Sequence, residues 1–106
     1  METTLEKLEK IIEERKKYSP EESYTAKLIN KGIEKILKKI GEEASELIIA
    51  SLKNEKQNII HETSDLFYHI LVMLNYHTIK LEDIYNELEK RMNISGIEEK
   101  RRRKDD

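Results

Sequence analysis

The chain has 106 residues, of which 40% are charged and 37% hydrophobic, with a net charge of -2 at pH 7 and no cysteine. This length fits one domain, and the lack of cysteine excludes disulfides and thiolate metal sites. The charge balance gives no global signal for nucleic acid or a membrane surface, and the longest apolar stretch, residues 70–74, is too short to span a bilayer. The highly charged segment 1–17 is unlike a signal peptide, so a cytoplasmic location is expected.

The first two helices are predicted on either side of the only proline. Apolar residues at helical spacing predict a first helix over about Thr4–Lys17. A second helix is predicted to start at Ser19, which can act as its N-cap, with Pro20 at the first position and Glu22 three residues after the cap. This helix is expected to end near Gly32.

Two long helices follow, predicted over residues 33–53 and 55–77 with Asn54 as the turn, and a fifth is predicted over about Leu81–Met92. No strand pattern competes, so the fold class is all-α: a bundle of about five helices around the long antiparallel pair. One domain over residues 1–94 and a polar tail over 95–106 are expected. Because so short a chain buries a modest share of its surface, dimerisation is expected to complete the core.

Four acidic residues occupy matching positions on the two long helices. Glu43 and Glu46 are three residues apart, and so are Glu62 and Asp65, so each pair shares a helix face. Glu46 and Glu62 are each eight residues from Asn54, about 12 Å along a helix axis. Glu43 and Asp65 are each eleven residues from it. A hairpin that turns at Asn54 therefore brings the two pairs level with each other.

These four acids lie on or beside the apolar stripes of their helices, where a solvated charge is not expected. At ~5 Å and an effective dielectric constant of about 20, two carboxylates repel by roughly 3 kcal/mol. Protonation, a basic side chain or a cation must offset this repulsion. A set made only of carboxylates suits Mg²⁺, or Mn²⁺, with water and substrate phosphates completing the shell. The alternative is a group of ordinary surface acids paired with lysines.

Three lysines and a histidine lie near the four acids in the sequence or on the same helices. Lys27, Lys38 and Lys39 are candidates for contacts with phosphate, and simple solvation is the alternative for each. His69 follows Asp65 by four residues. We expect His69 to be a packed core residue, and a place behind the metal ligands is the alternative.

Three segments resemble the phosphoribosyl-ATP pyrophosphatase family, which belongs to the all-α nucleoside triphosphate pyrophosphohydrolases with their EExxE and ExxD motifs. The segments are SYTAKL at 23–28, KKIGEEASE at 38–46 and ETSDLFYH at 62–69. The resemblance implies Mg²⁺-dependent hydrolysis of phosphoribosyl-ATP to phosphoribosyl-AMP and pyrophosphate, the second step of histidine biosynthesis. It also implies a homodimer.

The resemblance also implies roles for individual residues. By position, the Mg²⁺ ligands are Glu43, Glu46, Glu62 and Asp65. Glu42 is implied to act near the metal or its water, so that Glu42, Glu43 and Glu46 form the catalytic group. Of the three lysines, the resemblance favours Lys27 and Lys39 as phosphate contacts.

Other functions stay open at this point. One keeps the superfamily but changes the substrate to a free nucleotide such as dUTP, and another is a helical dimerisation module without catalysis. The basic run 101–104 offers a contact for nucleic acid, but its acidic flanks favour a solvated tail.

Overall fold

The computed structural model describes residues 1–93, which form five α-helices and contain no strand. The helices are α1 (Thr4–Arg15), α2 (Tyr24–Lys31), α3 (Ile33–Leu52), α4 (Lys56–Tyr76) and α5 (Leu81–Met92). The all-α class, the five helices and the long pair α3/α4 are therefore confirmed. The predicted domain end at 94, the tail at 95–106 and the basic run 101–104 lie outside the described residues.

The turn between α3 and α4 fixes the geometry of the candidate site. Asn54 has a φ of 56°, in the left-handed region that asparagine tolerates better than most residues. Its N–H donates to the carbonyl of Ser51 at 3.0 Å, and the N–H of Glu55 donates to the carbonyl of Ala50 at 3.1 Å. These two bonds form a Schellman motif, which satisfies the last carbonyls of α3. The chain then reverses at the predicted residue, and α4 packs along α3.

The predicted start of α2 at Ser19 is wrong. The helix begins at Tyr24, and Ser23 caps it, with extended backbone and a hydroxyl that accepts from the N–H of Ala26 at 3.1 Å. Ser19 instead donates its hydroxyl to the Glu22 carboxylate at 2.9 Å, within the preceding turn. The serine and glutamate of the apparent capping box therefore satisfy each other, and the true cap lies four residues later.

All five helices contribute apolar side chains to one core cluster. The largest fully buried side chains are Ile12, Leu28, Ile36 and Val72. Full burial of a side chain of this kind stabilises the fold by roughly 1.5–3 kcal/mol. Leu81 brings α5 into the same cluster. This cluster fixes the relative positions of α2, α3 and α4, which carry the candidate site.

Apolar side chains line a groove between α1, α4 and α5, which we call the apolar groove. It has a volume of about 430 Å³ and only apolar exposed lining. Its lining includes Leu5, Phe67, Ile70, Ile84, Tyr85 and Leu88. Within residues 1–93, no helix is both long enough and apolar enough to cross a bilayer.

Candidate active site

The seam between α3 and α4 brings Glu46 and Glu62 within hydrogen-bonding reach of each other. The pKa of Glu62 is raised above its ordinary value, first because its surroundings desolvate the charge and then because of the adjoining carboxyl of Glu46. Glu62 Oε1 is buried and has no hydrogen-bond partner among the described residues. The two acids that the hairpin register places level therefore do face each other.

The side chain of Glu43 is largely buried, with 13% of its surface exposed. Its Oε1 lies 2.5 Å from Nδ1 of the buried His69. The ring N–H is aligned with the main-chain carbonyl of Asp65, at 3.0 Å, rather than with this oxygen. Glu43 Oε1 is consequently buried and close to the ring, yet without a directed hydrogen bond.

The other two predicted acids point to neighbours on their own helices. Asp65 Oδ2 lies 3.3 Å from Nε2 of His61, and Glu42 Oε1 lies 3.8 Å from Nζ of Lys39. Within residues 1–93, no three His, Asp or Glu side chains converge as a complete ligand group for a metal ion. The backbone thus brings the acids to one seam, while the side chain of Asp65 is turned to His61.

The donor chemistry of this seam nevertheless fits a hard divalent cation. Two buried carboxylate oxygens, Glu43 Oε1 and Glu62 Oε1, have no hydrogen-bond partner among the described residues, although Glu43 Oε1 lies close to the His69 ring. Burying a charged oxygen without a partner is costly, and a cation offsets that cost. Glu46 and Glu62 also line a shallow groove of about 260 Å³ that opens from the seam. The residues that could hold the cation are Glu43, Glu46 and Glu62, with Asp65 one turn along α4.

Comparison with known proteins gives the family. A family model described as phosphoribosyl-ATP pyrophosphohydrolase matches residues 5–92. The chain belongs to the phosphoribosyl-ATP pyrophosphohydrolase family. A protein named phosphoribosyl-ATP pyrophosphatase from Geobacter metallireducens is 51% identical over 96 residues, which cover 91% of this chain and 88% of the relative. Its namesake from Clostridium acetobutylicum is 56% identical over 87 residues, covering 82% and 79%. That from Geotalea daltonii is 50% identical over 99 residues, covering 93% of each.

The three lysines predicted to contact phosphate differ in their distance from the acids and in their exposure to solvent. Lys39 lies one helical turn before Glu43 and pairs with Glu42. Lys27 is exposed on α2, one turn after Tyr24. Lys38 is exposed on α3, and within residues 1–93 neither it nor Lys27 forms an ion pair. The structure therefore places Lys39 beside the acids and leaves the other two facing solvent.

Sequence reasoning weighed His69 behind the acids but missed Tyr24, the partner of its ring. Tyr24 places its hydroxyl 3.3 Å from Nε2 of His69. The pKa of Tyr24 is raised, because the ring is partly buried and because the carboxylates of Glu43 and Asp65 disfavour a phenolate. The spacing of Asp65 and His69 by four residues was a usable signal. The approach of Tyr24 from α2 had none, since it depends on how α2 packs against α4.

Proposed function

We propose that this chain hydrolyses phosphoribosyl-ATP to phosphoribosyl-AMP and pyrophosphate, in a reaction that depends on Mg²⁺ and forms the second step of histidine biosynthesis. The observation that carries the proposal is the α3/α4 seam, where Glu43 and Glu62 each bury a carboxylate oxygen that accepts no hydrogen bond from the described residues. Membership of the family over residues 5–92 supports the choice of substrate.

In this proposal the carboxylates of Glu43, Glu46, Glu62 and Asp65 hold Mg²⁺, and Mn²⁺ is expected to replace it. The bound ion supplies neutralisation of the pyrophosphate charge and lowers the pKa of a bound water. Glu46 and Glu62 repel each other at the seam, so they are poised to bind a cation in place of a proton. Asp65 joins the set by rotating away from His61.

Glu42 has a separate role in the proposal, because its carboxylate is 47% exposed and pairs with Lys39. It lies next to Glu43 on the solvent side of α3. A carboxylate in that position is suited to orient or deprotonate an incoming water. We therefore assign Glu42 to the water, and Glu43 and Glu46 to the ion.

The decisive experiment measures pyrophosphate release from phosphoribosyl-ATP with Mg²⁺, for the unchanged protein and for Glu46→Gln. Because Glu46→Gln removes one of four anionic ligands, we expect the rate to fall more than about a hundredfold. Glu14→Gln is the matched control, since Glu14 is an exposed acid on α1, and its rate should equal that of the unchanged protein. Equal rates for the two variants would overturn the assignment of Glu46.

The same preparation separates the competing functions. A panel containing dUTP and the common nucleoside triphosphates tests the related nucleotide pyrophosphatase activity, and a clear preference for one of them would displace phosphoribosyl-ATP. A dimerisation module without catalysis predicts that Mg²⁺ leaves the melting temperature unchanged. Binding to the native state must raise it.

We also propose that the protein is a cytoplasmic homodimer, with a second copy covering the apolar groove. Phe67 and Leu88 are each close to half exposed there, although both are large and apolar. A chain of this size gains stability when such area is buried against another subunit. The cytoplasmic location is the one that suits a biosynthetic enzyme without cysteine.

A further inference from the structure

Behind the acids lies a buried histidine whose contacts do not fit a packing role alone. His69 is 5% exposed and sits on α4, one turn after Asp65. Its Nδ1 is 3.0 Å from the carbonyl oxygen of Asp65 and 2.5 Å from Oε1 of Glu43. Its Nε2 is 3.3 Å from the hydroxyl of Tyr24. The imidazole ring therefore links α2, α3 and α4, and it contacts Glu43 and Asp65, the two acids that lie eleven residues from Asn54.

The chemistry of these partners fixes which ring nitrogen carries hydrogen. The Asp65 carbonyl only accepts hydrogen bonds, so Nδ1 must be the donor, and this holds for the neutral and the protonated ring alike. In the neutral ring Nε2 is then an acceptor, and the Tyr24 hydroxyl donates to it.

The geometry points to a positioning role: we propose that His69, held by the Tyr24 hydroxyl, orients the Glu43 carboxylate for divalent-metal binding. This inference rests on the proposed function only because it assumes that the same acids bind the metal ion. A glutamate has three rotatable side-chain bonds, and holding one oxygen against the ring restricts the direction of the other. A ligand that is already oriented loses less entropy when it binds an ion.

The hydroxyl of Tyr68 provides a control that separates a positioning role of His69 from a purely structural one. Tyr68 donates or accepts a hydrogen bond with Thr25 at 2.5 Å, and its ring packs edge-on against His69 at 4.9 Å. Its hydroxyl is directed to Thr25, on α2, and not to an acid. Removal of this hydroxyl therefore disturbs the same cluster and leaves the contact between His69 and Glu43 in place.

The test measures Mn²⁺ affinity by electron paramagnetic resonance of the free ion, so that it does not depend on turnover. We expect His69→Leu to weaken Mn²⁺ binding roughly 10- to 100-fold, because loss of a group that orients a metal ligand typically has an effect of this size. His69→Asn, which keeps an N–H near the Nδ1 position, should recover part of that loss. Tyr24→Phe should weaken binding roughly fivefold, and Tyr68→Phe should leave it unchanged.

A spectroscopic readout covers the case in which His69→Leu fails to fold. The ¹⁵N shifts of the neutral imidazole should show hydrogen on Nδ1 in the unchanged protein, and Tyr24→Phe should shift Nε2 while Tyr68→Phe does not. Hydrogen on Nε2, or equal Mn²⁺ affinity for Tyr24→Phe and the unchanged protein, would overturn the positioning role. If the unchanged protein binds Mn²⁺ with this pattern but leaves phosphoribosyl-ATP intact, the substrate assignment fails and the positioning role stands.

Discussion

Glu62 is the acid of the seam whose pKa the fold raises, through desolvation and through the adjoining carboxyl of Glu46. A raised pKa means that the folded protein holds a proton at a pH where the unfolded chain has released it. Stability from this site is therefore present at low pH and is lost as the pH rises from the ordinary value of 4.5 through the raised pKa. A bound cation would remove this penalty by taking the place of the proton.

Glu62→Gln tests this sign directly. Glutamine cannot ionise, so we expect the metal-free variant to melt at a higher temperature than the unchanged protein at pH 7, and the difference to shrink to zero on acidification below the ordinary glutamate pKa. Saturating Mg²⁺ should reverse the order, because only the unchanged protein gains the full binding energy. Glu14→Gln, with an exposed acid on α1, should show neither effect. A variant that melts lower at every pH, with or without Mg²⁺, would contradict the electrostatic account.

The three candidate lysines allow a second prediction about single residues. Lys39→Met and Lys27→Met should each raise the KM for phosphoribosyl-ATP by about tenfold, because a charge-assisted hydrogen bond to phosphate is worth roughly 1–2 kcal/mol. Lys38→Met tests the third candidate in the same way. Lys7→Met, on the exposed side of α1, is the control. An unchanged KM for Lys39→Met would mean that Lys39 serves only its ion pair with Glu42.

At the level of elements, α3 carries an interior glycine that its surroundings do not require. A Cβ built on Gly41 meets no atom within 4 Å, and its backbone is helical. Gly32 is different, because it joins α2 to α3 with a φ of 97°, which side chains rarely adopt. Of the two glycines in residues 1–93, only Gly32 has a backbone conformation that requires glycine.

Substitution by alanine should separate these two glycines. Gly41→Ala should stabilise the protein by about 1 kcal/mol, the difference in helix propensity, and raise the melting temperature by roughly 4–8 °C. Gly32→Ala should destabilise it by about 1 kcal/mol or more, because alanine is strained at positive φ. Thermal melts of both variants check this. A loss of stability in Gly41→Ala would indicate that a second molecule packs against that face of α3.

At the scale of the whole molecule, the proposed dimer depends on the apolar surface that a single chain leaves exposed. The apolar groove between α1, α4 and α5 has no polar exposed lining, and α5 borders it on one side only. Phe67 and Leu88 in its lining are each close to half exposed. A second copy of the chain would cover these side chains in a closed, symmetric dimer.

Leu88→Glu places a charge in that groove and should shift the mass measured by sedimentation or light scattering from dimer to monomer. The physical reason is the cost of burying an unpaired carboxylate in an apolar interface. Leu52→Glu is the matched control, since Leu52 is more exposed and does not line the groove. A Leu88→Glu protein that stays dimeric would place the interface elsewhere.

Helical periodicity determined the fold class, the five helices, and α5 to the residue, because apolar spacing is a local property of the chain. The turn at Asn54 was equally readable, since asparagine is among the few residues that accept the conformation a helix end requires. Counting from that turn was enough to predict that Glu46 and Glu62 face each other. The start of α2 was misread, because Ser19 and Glu22 have local partners and the true cap at Ser23 does not stand out by pattern.

Only the tertiary structure decided what stands behind the acids. The approach of Tyr24 to His69, and of His69 to Glu43, joins three helices whose relative positions follow from side-chain packing in the core. Periodicity records which face of a helix is apolar, but not which residue of another helix will rest against it. The sequence therefore predicted which acids meet at the α3/α4 seam, and packing determined that Glu43 is enclosed against a histidine of the neighbouring helix.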